Sequence, residues 1–311
     1  MGDSKTAMPR RQEVTFSKTV RIAVLVSVVL AFAAAGITAA ETRNLGNGFR
    51  DHGVAVPISN QRGAAAAGNI WTVTYPQCGV LSFNPKTREL KDYGEVYKQN
   101  WPQYPRSGTP AYGRTGGGLF FWDKEKRAAT VLRDADVVPD ESTLSMIALP
   151  GGSMLAGTTI SPGTGGEKKA AEAVLYVMDL AARKIEWQAS VLPGVQEYTD
   201  LLAGPKGLVY GIADRKLFFI FDTVKRTVVA KQDVEAELGR AAYHQGPRVF
   251  VVGPKGRVYA LFSKGIARLD AKSNTLKLVA QSPLPIGTGG DYFKGRIYFS
   301  SGSHLLSYQP D

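Results

Sequence analysis

The 311-residue chain is poor in cysteine and histidine, with one cysteine, Cys78, and three histidines. A lone cysteine cannot form a disulfide within the chain, so the fold must be stabilised by its hydrophobic core. No CxxC or CxxCH motif and no cluster of cysteine with histidine is present. These absences exclude structural zinc and covalently attached c-type haem.

Two common catalytic motifs are also missing. No GxSxG pattern occurs, so nothing supports a serine nucleophile held on a sharp turn. The stretch TGGG at 115–118 is not followed by Gly-Lys-Ser/Thr, which excludes a phosphate-binding loop of that type. Signals for helices are almost absent as well, and the chain reads as an all-β protein.

Long apolar runs are confined to the N-terminus. Ile22 to Ala40 is 19 residues without a charge, and it follows a basic stretch. Thr38 and Ala40 are small residues where a signal peptidase would read them, which favours cleavage after Ala40. The alternative is an uncleaved anchor, because 19 apolar residues can just span a bilayer. We predict that 1–40 is a signal peptide or an N-terminal membrane anchor.

Either alternative places the bulk of the chain, residues 41–311, outside the cytoplasm, in the periplasm or the extracellular space. The formal net charge is +11, and its positive residues are scattered as pairs such as Lys168/Lys169 and Lys225/Arg226. Such pairs in turns are usually solvated, although a basic surface attracts anions such as acidic glycans or lipid headgroups. We expect no nucleic-acid partner, because an exported protein rarely meets one.

An internal repeat runs through the chain. An apolar run is followed by Asp or Asn, a short polar turn and a second β-rich run, which predicts a hairpin. The phrase recurs as VLSFNPKTRELKDYG (80–94), LFFWDKEKRAATVL (119–132), LYVMDLAARKIEWQA (175–189), LFFIFDTVKRTVVAK (217–231), IARLDAKSNTLKLVA (266–280) and, cut short, LLSYQPD (305–311).

A second phrase, Gly-x-apolar-aromatic, precedes most of these hairpins. It occurs as GNIW (68–71), GLVY (207–210), GRVY (256–259) and GRIY (295–298). The two phrases together give four antiparallel strands per repeat, and such repeats of about 40–45 residues are typical of β-propellers. We predict a six-bladed propeller. A seventh blade stays open, because 95–118 or the long interval between Asp123 and Asp179 could hide a degenerate one.

The two ends of the chain complement each other. The last repeat lacks a fourth strand, while residues 45–56 precede the first complete repeat. FRDHG (49–53) also matches LKDYG (90–94), the fourth strand of the first repeat. We therefore predict that residues 45–56 form the closing strand of the last blade, which removes an exposed sheet edge.

The repeats, such as GPKGLVYG followed by LFFIFDTVKRTVV, resemble bacterial propellers of the gluconolactonase-like and quinoprotein-like, PQQ-repeat-related type. The resemblance covers residues 45–311 and implies the fold rather than an activity. The gluconolactonase-like type implies a calcium site made by one Glu, Asn residues and one Asp on the axis, a set that cannot be placed on this sequence. The tryptophan-docking repeats of quinoprotein dehydrogenases are absent too.

Propeller function usually lies in loops at one end of the central channel, so the links between consecutive blades hold the candidate residues. His244 is the candidate general base, with Glu197 or Asp291 as its carboxylate partner. Glu197, Asp200 and Asp291 are candidate oxygen ligands, with Ca²⁺ as the metal. The sequence equally allows these side chains to be ordinary loop residues. The candidate ligand-binding residues are Arg62, Trp101, Tyr104, Arg106, Tyr198 and Asp291.

Two functions from different classes fit these residues. The first is an exported binding or scaffold propeller that engages a small molecule, a glycan or a partner protein. The second is a metal-assisted hydrolase or lyase acting on a lactone or sugar acid. Strong structural repeats without a recognisable catalytic set favour the first.

Overall fold

Strands dominate the computed structural model, which describes residues 42–54, 61–66, 69–74, 79–83, 87, 89–95, 109–110, 117–123, 125–126, 128–162, 166–243, 248–302 and 304–311. Helical structure within these residues is limited to one turn of α-helix at Glu235–Leu238 and 3-10 turns at Asp134–Asp136, Pro205–Gly207 and Pro254–Gly256. The all-β prediction is confirmed.

The strands form six antiparallel sheets within the described residues. The first sheet holds β3 (Gln61–Ala66), β4 (Asn69–Thr74), β5 (Gly79–Phe83) and β6 (Leu90–Glu95), and the second holds β7 (Thr109–Pro110), β8 (Gly117–Asp123) and β9 (Ala128–Arg133). The third holds β10 (Ser142–Ala148), β11 (Ser153–Thr159), β12 (Leu175–Asp179) and β13 (Lys184–Ala189). The fourth holds β14 (Tyr198–Ala203), β15 (Leu208–Ala213), β16 (Leu217–Asp222) and β17 (Thr227–Asp233).

The fifth sheet holds β18 (Phe250–Val252), β19 (Val258–Phe262), β20 (Gly265–Asp270) and β21 (Thr275–Gln281). The sixth holds β22 (Thr288–Phe293), β23 (Arg296–Ser301) and β24 (His304–Tyr308), followed by β2 (Phe49–Val54) and β1 (Arg43–Gly46) from the start of the described chain. The first strands of consecutive sheets contact one another, β10 with β14, β14 with β18 and β18 with β22. These first strands are therefore the inner ones.

The core lies between the faces of consecutive sheets. Side chains of a strand alternate between its two faces, and β16 shows how the sequence uses this. Phe219 and Phe221 pack towards the third sheet, whereas Phe218 and Ile220 pack towards the fifth. Because both faces are covered, the strand reads as a continuous apolar run, LFFIF, rather than as an apolar–polar alternation.

Because consecutive strands of each sheet are antiparallel, the loops that connect them lie alternately at the two ends of the sheet. We call one end the turn end; it carries the short turns between first and second strands, such as 204–207, and between third and fourth strands, such as 223–226. The other is the link end. It carries the loops between second and third strands, such as 214–216, and the links between sheets, such as 234–249.

The predicted hairpin turns of the repeat are confirmed where they are described. The carboxylate of Asp222 accepts hydrogen bonds from the backbone N–H groups of Val224 and Lys225, at 3.0 and 2.9 Å. Asp123 and Asp270 accept equivalent bonds from the residues that follow them. The aspartates therefore repeat because each one stabilises its own turn.

The N-terminal segment pairs with the sixth sheet. Phe49 lies opposite Tyr308 and Asp51 opposite Leu306, so β2 is the fourth strand of that sheet. The predicted match with the first sheet extends to a local turn: Asp51 accepts from the N–H of Gly53 at 2.8 Å, and Asp92 accepts from that of Gly94 at 2.7 Å. Both glycines have positive φ.

One part of that prediction is wrong. Residues 45–56 do not form a single strand, because the chain turns at Asn47–Gly48 and Arg43–Gly46 adds a fifth, outermost strand to the sheet. Asn47 and Gly48 both adopt positive φ, which is the backbone that a tight hairpin turn requires. The last two residues of the predicted strand, 55–56, lie outside the described residues.

The N-terminal prediction falls outside the structure. Residues 1–41, including the apolar run Ile22 to Ala40, are not among the described residues, and the described chain belongs to one compact unit, Thr42–Asp311. In that part of the chain, no helix has both the length and the apolar character needed to cross a bilayer.

Candidate functional site

Several predicted site residues cannot be located. Trp101, Tyr104, Arg106 and His244 lie outside the described residues. The backbone of Arg62 pairs with Val73 inside β3, while its side chain is not described. The proposed pairing of His244 with Glu197 and the ring of ligand-binding side chains therefore stay predictions.

Three predicted loop residues lie in inner strands instead. Tyr198 and Asp200 belong to β14, and Asp291 belongs to β22. The sequence placed them in the links because the apolar residues of these strands are interrupted by glycine, threonine and acidic residues. Asp291 is exposed, and one of its carboxylate oxygens accepts from the N–H of Tyr292 at 2.7 Å.

Tyr198 is part of the core rather than of an open surface. Its side chain is fully buried, its ring meets Phe219 edge-on at 5.6 Å, and its carbonyl accepts a hydrogen bond from the Ser145 hydroxyl of the neighbouring sheet at 2.7 Å. Burial raises the pKa of its phenol well above the ordinary range. Tyr198 therefore joins the third and fourth sheets and does not face a ligand.

Asp200 joins the next pair of sheets. Its Oδ2 accepts from the N–H groups of Val249 and Phe250, both at 2.8 Å, and its Oδ1 accepts from Leu201 at 2.9 Å. Three backbone donors compensate the cost of burying this carboxylate between the fourth and fifth sheets. Among the described residues, no three His, Cys, Asp or Glu side chains are grouped so that they could hold a metal ion.

Glu197 lies at the link end, directly before β14. The Thr199 hydroxyl donates to its Oε1 at 2.9 Å, and the same hydroxyl accepts from the backbone N–H of Arg215 at 2.9 Å. The guanidinium Nε of Arg215 is 3.8 Å from Glu197 Oε1. Burial raises the pKa of Glu197, while Thr199 and Arg215 act in the opposite direction.

Arg215 also contacts the surface. Its guanidinium lies over the ring of Tyr243, 5.8 Å from the centroid, and 63% of Tyr243 is exposed. A partly buried carboxylate, a partly exposed arginine and an exposed tyrosine thus follow one another towards the solvent. We call Glu197, Arg215 and Tyr243 the link-end stack. The sequence analysis singled out Glu197 but missed Arg215, whose position depends on the loop after β15.

The third sheet carries an equivalent glutamate. Glu141 directly precedes β10 and accepts a hydrogen bond from the hydroxyl of Thr158. Burial raises its pKa, as it does for Glu197. Both glutamates stand two residues before a threonine, in ESTL (141–144) and EYTD (197–200), a Glu-x-Thr repeat that sequence comparison of the inner strands could have found.

A small pocket adjoins Glu141. Asp134, Thr143 and Thr158 line it together with apolar side chains of the second sheet and its link, and it leaves about 10 Å³ for the centre of a water molecule. This is about the minimum for one water molecule. The pocket is therefore far too small for a sugar acid or a lactone, which would need several hundred Å³.

Comparison with known proteins gives the fold. No protein-family model matches the chain, and no curated protein matches it in sequence. The β-propeller domain of Cps50 (Swd1) from Myceliophteria thermophila is 12% identical with a TM-score of 0.57, over 88% of this chain and 96% of that one.

Two further solved structures are similar. A luciferin-regenerating enzyme has a TM-score of 0.51 at 11% identity, over 81% of this chain and 91% of that one. Saccharomyces cerevisiae Sqt1 has a TM-score of 0.52 at 10% identity, over 79% of this chain and 70% of that one. At these sequence identities, structural similarity shows the fold of the chain and says nothing about an activity. Together with the core that is packed between the faces of consecutive sheets, this likeness shows that the chain is a β-propeller.

Proposed function

We propose that the chain is an exported, six-bladed β-propeller that serves as a binding or scaffold protein and engages a partner protein at its link end. Six sheets in the described residues support the blade count. The pairing of β2 with β24 supports closure of the ring by the two ends of the chain. The uncharged run Ile22 to Ala40, behind basic residues, supports export, with cleavage after Ala40 or anchoring through 22–40.

The link-end stack is the observation that carries the proposal. Tyrosine and arginine dominate the energetics of protein interfaces, because both present large, pre-ordered contact surfaces with polar groups. Here Tyr243 is exposed, Arg215 lies under its ring, and Arg215 itself lies beside the partly buried Glu197. The stack therefore offers a rigid aromatic anchor to a partner at small entropic cost.

Photocrosslinking tests this proposal directly. A photoreactive phenylalanine analogue at position 243, in the full-length chain made in its own cells, should give one defined protein adduct. Arg215→Ala should reduce the yield of that adduct strongly, because the aromatic ring at position 243 no longer packs against the guanidinium. The same analogue at position 229, exposed on the outer strand β17, should give no such adduct. Equal adducts from both positions would overturn the proposal.

Thermal unfolding separates this function from a small-ligand function. Calcium, EDTA and a panel of sugar acids and lactones are added to the purified chain. A ligand that binds only the folded state at a hundred times its Kd adds about 2.7 kcal/mol of stability. We expect no shift, because the proposed contact is made by Tyr243 at the protein surface and requires neither calcium nor a sugar acid. A midpoint that falls with EDTA and returns with calcium would favour the hydrolase or lyase.

The mature N-terminus tests export. Intact-mass measurement of the protein recovered from its own cells should give a chain that begins at Glu41, or the uncleaved chain in the membrane fraction. Recovery of the uncleaved chain from the soluble cytoplasmic fraction would contradict export.

A further inference from the structure

The strand that completes the sixth sheet has one apolar face and one polar face. Phe49 packs with Leu306 and Tyr308 in the core cluster that the sixth sheet shares with the fifth. Because side chains alternate along a strand, the residues between these point away from the fifth sheet. This second face of the sixth sheet is polar and carries Arg50, His52, Arg296, Tyr298 and Ser307.

The ladder between β2 and β24 is interrupted beside His52. A register shift lies between Asp51 and Val54, so positions 52 and 53 are not regularly paired with β24. The N–H of Gly53 is bonded to the carboxylate of Asp51 at 2.8 Å instead. The link-end half of β2 therefore depends on its side-chain contacts more than a regular strand does.

The buried hydroxyl of Ser307 is the main polar contact of His52. Its oxygen accepts from the guanidinium Nε of Arg296 at 2.7 Å and lies 2.8 Å from His52 Nε2. Since the hydroxyl has one hydrogen to give, Nε2 of a neutral imidazole can accept it. A protonated imidazole carries a hydrogen on both nitrogens and accepts none. Protonation of His52 would therefore leave two cationic donors on the same hydroxyl oxygen.

The charges around His52 offer little compensation for a proton. Burial is the main cause that lowers the pKa of His52, and the positive charges of Arg296 and Arg50 lower it further. Asp51 acts in the opposite direction, but its carboxylate is already bonded to His304. The neutral imidazole is therefore the form that suits the closed junction.

We propose that the junction between the two ends of the chain is an acid-operated latch, in which protonation of His52 releases β2 from the edge of β24 while the other sheets stay folded. The segment Thr42–Val54 completes only the sixth sheet, so its release requires no other strand to move. The released state binds the proton first. The latch therefore holds fully above the ordinary histidine pKa of 6.5 and weakens as pH falls below it.

Hydrogen exchange of the full-length chain in non-ionic detergent, measured by mass spectrometry, tests the proposal. Amide protection in Phe49–Val54 and His304–Tyr308, corrected for the effect of pH on intrinsic exchange, should fall at least about threefold between pH 7 and pH 5. The ladder between β15 and β16 of the fourth sheet should keep its protection. His52→Gln should keep most of the protection at pH 5, because an uncharged amide can still accept from Ser307.

Two further variants separate His52 from the rest of the junction. His304→Gln removes the histidine that contacts Asp51 and should retain the acid-induced fall in protection. Arg50→Gln removes an exposed cation that disfavours a charged His52, so it should make the fall smaller. A fall that persists in His52→Gln or disappears in His304→Gln would overturn the proposal. So would an equal fall in the fourth sheet, because the whole propeller would then be unfolding.

Discussion

Buried charges in this propeller are held at the junctions between its sheets. Glu141 and Glu197 stand at the start of inner strands, and Asp200 spans the fourth and fifth sheets through backbone donors. Arg296 of the sixth sheet is also buried: its guanidinium donates to the hydroxyl of Ser307 at 2.7 Å and to the carbonyl of Gly48 at 2.6 Å. Each such group costs stability unless its partners are in place.

Glu197→Gln should stabilise the protein at neutral pH. Because burial raises the folded pKa of Glu197, the folded state holds its proton longer than the unfolded state does. The contribution of Glu197 to the free energy of unfolding is therefore fully present below the unfolded pKa, near 4.5, and is lost as pH rises through the folded pKa. Urea unfolding should show a larger gain for the variant at pH 7 than at pH 4. Glu237→Gln, at an exposed position, is the control variant, and an equal difference in gain between the two pH values would contradict the prediction.

Arg296→Leu should destabilise the sixth sheet. It removes the charged donor to the carbonyl of Gly48 and the hydroxyl of Ser307, which keep Gln309 N–H and His52 as partners. Hydrogen bonds to charged groups contribute about 1.5–3 kcal/mol each. We expect a loss of at least about 2 kcal/mol in urea unfolding. Arg268→Leu, at an exposed position of β20, should change stability by less than about 0.5 kcal/mol. Equal effects of the two variants would show that Arg296 does not secure this sheet.

Consecutive sheets approach each other so closely that a glycine in the second strand of one sheet faces a side chain in the first strand of the next. A Cβ on Gly157 of β11 would lie 2.3 Å from the Cβ of Tyr198 in β14. Since strand β14 is fixed by its own ladder and by Phe219 behind Tyr198, the contact cannot be relieved by a side-chain rotation alone. The glycine therefore sets the spacing of the third and fourth sheets.

Gly157→Ala should cost about 1–3 kcal/mol through overpacking. Gly287→Ala is the matched control, because a Cβ there would first meet the Ser300 carbonyl at an ordinary 3.5 Å. Thermal unfolding of both variants measures the difference. A Gly157→Ala protein as stable as the Gly287→Ala protein would mean that the two sheets can move apart freely.

Sequence patterns predicted the elements far better than the site. The hairpins were predictable because the aspartate that ends a third strand, such as Asp222, bonds to N–H groups two and three residues on. The pairing of β2 was predictable because Asp51–Gly53 repeats the local turn of Asp92–Gly94. The strand Arg43–Gly46, the burial of Tyr198 and the stacking of Arg215 under Tyr243 were not, because each depends on contacts that no local pattern encodes.

At the scale of the whole molecule, the two ends of the chain are joined by side chains as well as by a strand ladder. Asp51 is 1% exposed and lies 3.0 Å from the ring of His304, and His52 Nε2 lies 2.8 Å from the Ser307 hydroxyl. Hydrogen bonding from His304 is the largest cause that lowers the pKa of Asp51, to about 2. The contribution of the ionised Asp51 to the free energy of unfolding is thus lost only as pH falls below about 4 towards 2.

His52 should make this junction sensitive to mild acid. Burial is the main cause that lowers its pKa below the ordinary 6.5, with Arg296 and Arg50 adding to it. The unfolded chain then binds the proton first, so stability falls as pH drops below about 6.5. His52→Gln, which retains a partner for Ser307, should lose part of this decline in urea unfolding between pH 7 and 5. An unchanged decline would show that His52 does not titrate there.

A crystal structure of the protein would test the six-bladed architecture, because it counts the blades and shows how the ring closes. We expect six sheets around one axis, with Phe49–Val54 hydrogen-bonded to His304–Tyr308 as the fourth strand of the last sheet, and Tyr243 exposed over Arg215. Seven sheets, or a last sheet whose edge strand is His304–Tyr308 with Phe49–Val54 placed elsewhere, would contradict it.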